Sequence, residues 1–314
     1  MLSRDRARTP NEGAEIRFDP DGTICLVLGT QSNGQGHETS YPQIASRLLG
    51  LPIDSFRLVQ ADTRVVKTGA GHGGARSMHQ GGTALVKAAE KIIEKGCAIA
   101  AVLLQADIAE VAFAAGRFTV KGTERGIDLP ALAAAASEPA NLPDGMTPGL
   151  DSYVFNQSDV FTFPNGCHVA EVEIDPDTGF LTIERYTIVD DYGRLINPML
   201  TRGQVQGGVA QGIGQALLEH TVYDLDSGQL LSGTLMDYAL PRADDLSSFD
   251  ITLSELPTAA NPIGVKGSGQ AGCIAAPQTI INAIVDALTP LGIEHLDMPA
   301  TPERIWRSIL DRRA

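Results

Sequence analysis

The chain has 314 residues, 43% hydrophobic, 20% charged and 5% aromatic, a composition that suits a folded protein of one large domain or two small ones. Its 38 acidic residues against 24 basic give a net charge of -14. That balance repels polyanions, so nucleic acid and anionic membranes are poor partners, and any bound phosphate must be held by backbone N–H groups and neutral amides.

Cys25, Cys97, Cys167 and Cys273 are far apart and form no Cys-x-x-Cys pair, which argues against zinc or iron–sulfur ligation within this chain. Buried free thiols in a reducing cytoplasm are the simplest reading. Met1 to Arg8 leads into no apolar run of the signal-peptide kind, and no stretch is read as approaching membrane-spanning length.

In chain order, Ala14–Phe18 alternates, Asp19-Pro20-Asp21-Gly22 turns, and Ile24–Leu28 runs apolar, which predicts a β-hairpin. Helices are expected at 38–49, 82–95 (ending before Gly96), 97–106 and 130–137, the last with Asp128 as N-cap. The Pro/Gly-rich stretch Glu138–Asp151 is the best linker, dividing the chain into 1–150 and 151–314. A second hairpin follows at Val169–Ile174 and Phe180–Glu184 around Asp175-Pro176-Asp177-Thr178-Gly179. Further helices are expected near 208–220, 274–288 and 302–312, where Pro302 suits a first helical position. Strands and helices mix without strict βαβ alternation, so the expected class is α+β, with two similar α/β subdomains, mixed sheets and flanking helices.

Glycine and glutamine cluster at expected element ends. The clusters are Gly29–Thr39, Gly69–Ser77 (which has no glutamine), Gly203–Gln215 and Gly264–Gly272. Glycine lets backbone approach a ligand at positive φ, a loop opening a helix turns free N–H groups toward an anion, and a glutamine amide both donates and accepts. Taken as four ligand loops, they would hold a large, polar, phosphate-bearing heterocycle with few formal charges. No Walker phosphate loop and no strand–GxGxxG–helix unit of a Rossmann domain is present.

On these residues the sequence resembles the C-terminal half, or second molybdopterin-binding domain, of large subunits of the xanthine dehydrogenase and aldehyde oxidase family. The resemblance lies in Gly34-Gln35-Gly36-His37-Glu38-Thr39, in Asp62-Thr63 with Gly73-Gly74-Ala75-Arg76-Ser77, and in Val189–Pro198. It continues through Gly203–Leu218, Met236-Asp237-Tyr238 and Gly264–Gly272, in the family's order, from about residue 14 to 312.

The resemblance implies a molybdenum cofactor-binding fold and a molybdopterin-type cofactor, plain or in its cytosine dinucleotide form. It implies hydroxylation of an aldehyde or N-heterocycle with oxygen from water, or CO oxidation in one branch. It places Gln35 and Gly36 on the pterin or its phosphate, Gly74, Ala75 and Ser77 on the dithiolene and phosphate side, and Gln211 and Gly269 near the cofactor. The implied partners are a chain supplying the N-terminal half of the large subunit, iron–sulfur (2Fe-2S) and FAD subunits, and a small-molecule substrate.

One departure bears on activity. The family's general base is a glutamate, and that position holds Gln270. A neutral amide cannot accept the proton, and loss of a general base costs about 10²–10⁴-fold in rate. Glu38 is an alternative carboxylate, and His37 and His72 are candidate proton carriers. Three readings stay open: a subunit active only with partner chains, a catalytically silent cofactor-binding module, and an unrelated α+β structural protein.

Overall fold

The structure, a computed structural model, describes residues 11–158 and 160–313. The N-terminal octet read above lies outside them. The chain forms two compact units: Met1–Thr162 with Pro257–Gly267, and Phe163–Leu256 with Ser268–Ala314. The turn-rich stretch 138–151 lies inside the first unit, where Gly149 N–H donates to the Ala136 carbonyl at 2.8 Å and Leu150 is buried.

In the first unit the expected hairpin forms from β1 (Asn11–Phe18) and β2 (Ile24–Leu28). Its turn closes where Gly22, at φ 87°, donates to the Asp19 carbonyl at 3.0 Å. Next come α1 (His37–Leu49), β3 (Phe56–Val59) parallel to β2, and α2 (Gly82–Leu103). The antiparallel strands β4 (Val111–Ala114), β5 (Arg117–Val120) and β6 (Gly126–Asp128) form a small separate sheet, and α3 (Leu129–Ala135) follows. Strand β7 (Ser152–Gln157) then returns antiparallel to β1, giving a main sheet of order β3-β2-β1-β7. As a central strand, β2 is buried along its whole length, so it reads as a continuous apolar run.

Two helices expected at 82–95 and 97–106 are one helix, α2. Gly96 does not end it, because the glycine lets the Phe118 ring in: a Cβ at 96 would lie 2.3 Å from that ring's Cζ.

The second unit repeats the plan. Strands β8 (Asn165–Ile174) and β9 (Leu181–Asp191) form the second expected hairpin, followed by α4 (Pro198–Leu217), β10 (Phe249–Ser254) parallel to β9, and α5 (Ala271–Leu288). An antiparallel hairpin, a helix, a parallel strand and a helix thus occur in the same order in both units, and the last helix, α6 (Pro302–Arg313), follows here. The core joins Tyr186 and Ile188 of β9, Val205, Val209 and Ile213 of α4, Ile280 and Ile284 of α5, and Ile305 and Ile309 of α6.

Three expectations are corrected. Helix α4 starts at Pro198 rather than near 208, because Asn197 caps it, its side chain accepting from Leu200 N–H at 3.0 Å. Residues 271–291, α5 and the turn after it, are long and apolar enough by composition to cross a membrane, although the buried face of α5 lies in the core of this unit. All four cysteines are free thiols, but Cys25 alone is fully buried and Cys167 is exposed.

Candidate cofactor site

The first loop leaves β2 at Gly29 and ends at Gly36, the residue before α1. Gly34 and Gly36 stand at φ 95° and 78°, which side chains disfavour, and Gly36 brings no side chain to cap the helix. At the start of α1 the Thr39 and Ser40 N–H groups donate to the Gly36 carbonyl at 3.1 and 3.0 Å, which leaves the groups ahead of them, His37 first, to a ligand or solvent. Gln35 secures the loop itself: its Nε2 donates to the Gln31 carbonyl at 3.0 Å, and its Oε1 accepts from Asn33 N–H. Ser32 bonding to Glu38, ahead of backbone N–H, holds that carboxyl below its usual range.

A second loop runs from Gly69 into a π-helical turn, Ser77–Gly81, that leads into α2. Local π turns recur at functional sites. Gly71, Gly74 and Ala75 all have positive φ, 54° at Ala75, a conformation costing a non-glycine residue roughly 1–3 kcal/mol. Gly267 backs Ala75 so closely that a Cβ there would come within 2.6 Å of the Ala75 methyl.

The two loops meet along one edge. A Cβ on Gly69 would lie 2.3 Å from the Gly29 carbonyl oxygen, and Asn33 Nδ2 reaches His72 Nε2 at 3.3 Å. By contrast, a Cβ on Gly34, Gly71, Gly73 or Gly74 would meet nothing within 4 Å. The glycines thus bound an open cradle of backbone, which suits a polar, phosphate-bearing heterocycle.

Beneath the cradle runs a hydrogen-bond chain whose direction can be assigned. Tyr41 has one proton and gives it to the Ser77 carbonyl at 2.7 Å. Thr30 must therefore donate to the Tyr41 oxygen at 2.9 Å, and Thr30 Oγ1 accepts from Gln60 Nε2 at 2.8 Å. That turns Gln60 Oε1 toward His37 Nδ1, 3.2 Å away, so Nδ1 carries the hydrogen. Burial pushes the His37 pKa down, against the Gln60 bond, and its buried Nε2 has no partner among the described residues. The chain links the start of α1 to Ser77 in the π turn.

Sequence reasoning missed Glu12 and Arg76. Glu12 on β1 is fully buried and pairs with the Arg76 guanidinium, which is nearly so. Arg76 also donates to the Gly71 carbonyl at 2.9 Å and the Asn11 carbonyl at 2.6 Å, while Glu12 Oε1 accepts from Gly13 N–H at 3.0 Å. A signal was present: Glu12, Ala14 and Ile16 share one face of β1, all three fully buried, and a carboxylate on such a face demands a partner.

The third glycine cluster is corrected: Gly203–Gln215 is not a loop but lies within α4. Its glycines let α5 approach, since a Cβ on Gly212 would lie 2.8 Å from the Ala276 methyl and 2.9 Å from Pro277 Cδ. Gln211 is on the exposed side of α4. In the same unit, Gln204 Nε2 donates to the Gly269 carbonyl at 3.1 Å, and Gln270 is the exposed residue preceding α5. Gln35, Gly36, Gly74, Ala75 and Ser77 thus lie together in the first unit, and Gln211, Gly269 and Gln270 belong to the second.

The sequence profile described as molybdopterin cofactor-binding domain matches residues 2–247. The chain belongs to the molybdopterin cofactor-binding domain family. Among curated relatives it is 35% identical to the carbon monoxide dehydrogenase large chain of Hydrogenophaga pseudoflava, covering 95% of this chain and 37% of that one. It is 34% identical to the nicotine 6-hydroxylase large subunit of Paenarthrobacter nicotinovorans, with the same two coverages. Among solved structures, quinoline 2-oxidoreductase from Pseudomonas putida 86 superposes with a TM-score of 0.89 at 35% identity, over 96% of this chain and 38% of that one. This chain therefore spans little more than a third of the length of these relatives. A molybdopterin cofactor fits the cradle through its backbone donors, since the Gln35 amide is spent within its own loop.

Proposed function

We propose that this chain is the cofactor-gripping C-terminal part of the large subunit of a molybdenum hydroxylase, working with other chains. The observation that carries the proposal is the pair of glycine loops, 29–36 and 69–77, tied at one edge by Asn33 and His72 and open along Gly34, Gly71, Gly73 and Gly74. On this reading, N–H groups at the start of α1 and around Gly74 and Ala75 hold the pterin phosphate, and Ser77 lines the same side. Gln35 keeps the first loop in shape, and for Gln211 and Gly269 the role near the cofactor rests on the family resemblance alone. A plain molybdopterin and its cytosine dinucleotide are told apart by whether acid hydrolysis of the purified protein releases CMP.

The chemistry supplied by the bound cofactor is oxidation of an aldehyde or N-heterocycle carbon with oxygen from water. For that reaction Gln270 can orient a group by hydrogen bonds but cannot take a proton. Its amide favours a second reading, a cofactor-binding module that does not turn over.

The partners proposed are a polypeptide carrying the rest of the large subunit, and iron–sulfur and FAD chains. The relatives are named as large chains or large subunits, and this chain covers only 37% of them. In the second unit, Leu225, Leu235 and Met236 are exposed at 99%, 77% and 93%, on a stretch that also exposes Tyr223, Leu231 and Leu240. Apolar side chains concentrated this way mark a docking surface, and we assign it to the remainder of the large subunit.

The test is purification from the source cell under mild conditions, with molybdenum and pterin measured on whatever complex emerges. A stoichiometric metal and co-purifying chains are expected. A metal-free monomer would overturn the proposal.

A further inference from the structure

The second loop poses a mechanical problem. Gly69, Gly71, Gly73 and Gly74 have no side chains with which to fix its course, and ordering glycine costs more backbone entropy than ordering any other residue. Its course must be imposed from outside. Arg76 and Glu12 reach it at both ends: Arg76 closes back on the Gly71 carbonyl at 2.9 Å, and the Glu12 carboxylate also takes the Ala70 backbone N–H. Through the Asn11 carbonyl and Gly13 N–H the same pair is fastened to β1.

The first loop leans on the same carboxylate. A Cβ on Gly29 would lie 2.1 Å from Glu12 Oε1, so the chain leaves β2 in direct contact with it. The departure points of both loops are thus set by one buried charge pair.

We propose that Glu12 and Arg76 are positioning residues that set the course of both glycine loops, and so govern retention of the cofactor without belonging to its donor set. This inference rests on the cofactor reading above. Burial pushes the Glu12 pKa up despite Arg76, so the carboxylate is held there against the cost of desolvation.

Arg76→Lys is the folded test, since it keeps the charge but cannot make the planar set of bonds to Glu12, Gly71 and Asn11. Two quantities are read on the chain as purified with its partner chains. Hydrogen exchange of the amides at 69–76 is expected to speed at least tenfold in the variant, while amides of β8 and β9 stay unchanged. The molybdenum-to-protein ratio is expected to fall at least threefold, with the variant still unfolding in one cooperative transition. The double variant Glu12→Leu/Arg76→Met, which replaces the charges with apolar groups of similar size, is expected to fold and still lose metal.

Unchanged exchange at 69–76 in Arg76→Lys would overturn the inference, as would full metal content in either variant. If the unaltered protein carries no molybdenum, the cofactor reading fails instead, and the exchange measurement still decides whether the pair sets the loop.

Discussion

Gln204 donates its side-chain amide to the Gly269 carbonyl, 3.1 Å away, so α4 holds the residue immediately before Gln270. Gln270 therefore stands on a fixed backbone with an exposed side chain at the start of α5. A carboxylate is tolerated there, being favoured at a helix N-terminus by about 0.3–1 kcal/mol. On the cofactor-loaded complex, Gln270→Glu is expected to raise turnover by about 10²-fold or more, the low end of what a positioned base supplies. Steady-state rates at saturating substrate check this, and an unchanged rate would assign the proton transfer to another group.

Tyr41→Phe removes the middle of the chain from His37 to Ser77. The hydroxyl is fully buried, so Thr30 loses its acceptor, while the Ser77 carbonyl loses the phenol and keeps the Gly82 N–H. Leaving such a group unsatisfied costs about 1–3 kcal/mol. Denaturant unfolding should show a lower midpoint with the same slope. A midpoint equal to that of the unaltered protein would mean the chain contributes nothing.

The glycines of α4 separate by their surroundings. Gly207 faces open space, so Gly207→Ala should stabilise by about 0.5–1 kcal/mol through lost unfolded-state freedom. At Gly212 the same methyl would strike Ala276 and Pro277, and overpacking of this kind costs about 1–3 kcal/mol. Thermal melts of the two variants should move in opposite directions; a shared direction would refute the α4–α5 packing.

Burial lowers the pKa of both His37 and His79 from 6.5, so both are neutral when folded and take protons more readily when unfolded. Their contribution is complete above pH 6.5 and is lost as the pH falls below it toward the lowered folded values. Asp19 behaves separately: Arg17, then Cys25, hold its pKa at about 2 against 3.8, so its contribution is lost as the pH falls from 3.8 through about 2. Between pH 7 and about 4.5 acidification should cost at most about 1.4 kcal/mol per pH unit for each histidine, offset in part by Glu12, whose raised pKa favours the folded state as the pH falls. His37→Asn should flatten the decline, and an equal slope in that variant would sink the argument.

Both hairpins were readable because their turns are written locally, in Asp-Pro-Asp sequences closed by glycines at positive φ. Parallel strands β3 and β10 were not readable, since Phe56–Val59 and Phe249–Ser254 acquire their partners only through a helical crossover. The helix through Gly96 and the helical Gly203–Gln215 misled for one reason. A glycine that breaks an isolated helix is kept when a neighbour, Phe118 in one case and Ala276 in the other, fills the space beside it. In the candidate site, the loops showed in composition, whereas Glu12 and Arg76 are 64 residues apart and only the fold brings them together. Expectations for Gln35, Gly74, Ala75 and Ser77 came from motif order, and their roles toward a cofactor are part of the proposal.

The first unit takes in Pro257–Gly267 after the chain has already built most of the second. Gly267, which backs Ala75, therefore follows its neighbour by nearly two hundred residues of synthesis. On the ribosome the second glycine loop must wait, unsupported on that side, until the strand β10 and the turn beyond it have emerged. The close contact between Gly267 and Ala75 is thereby among the later ones of the first unit to be completed.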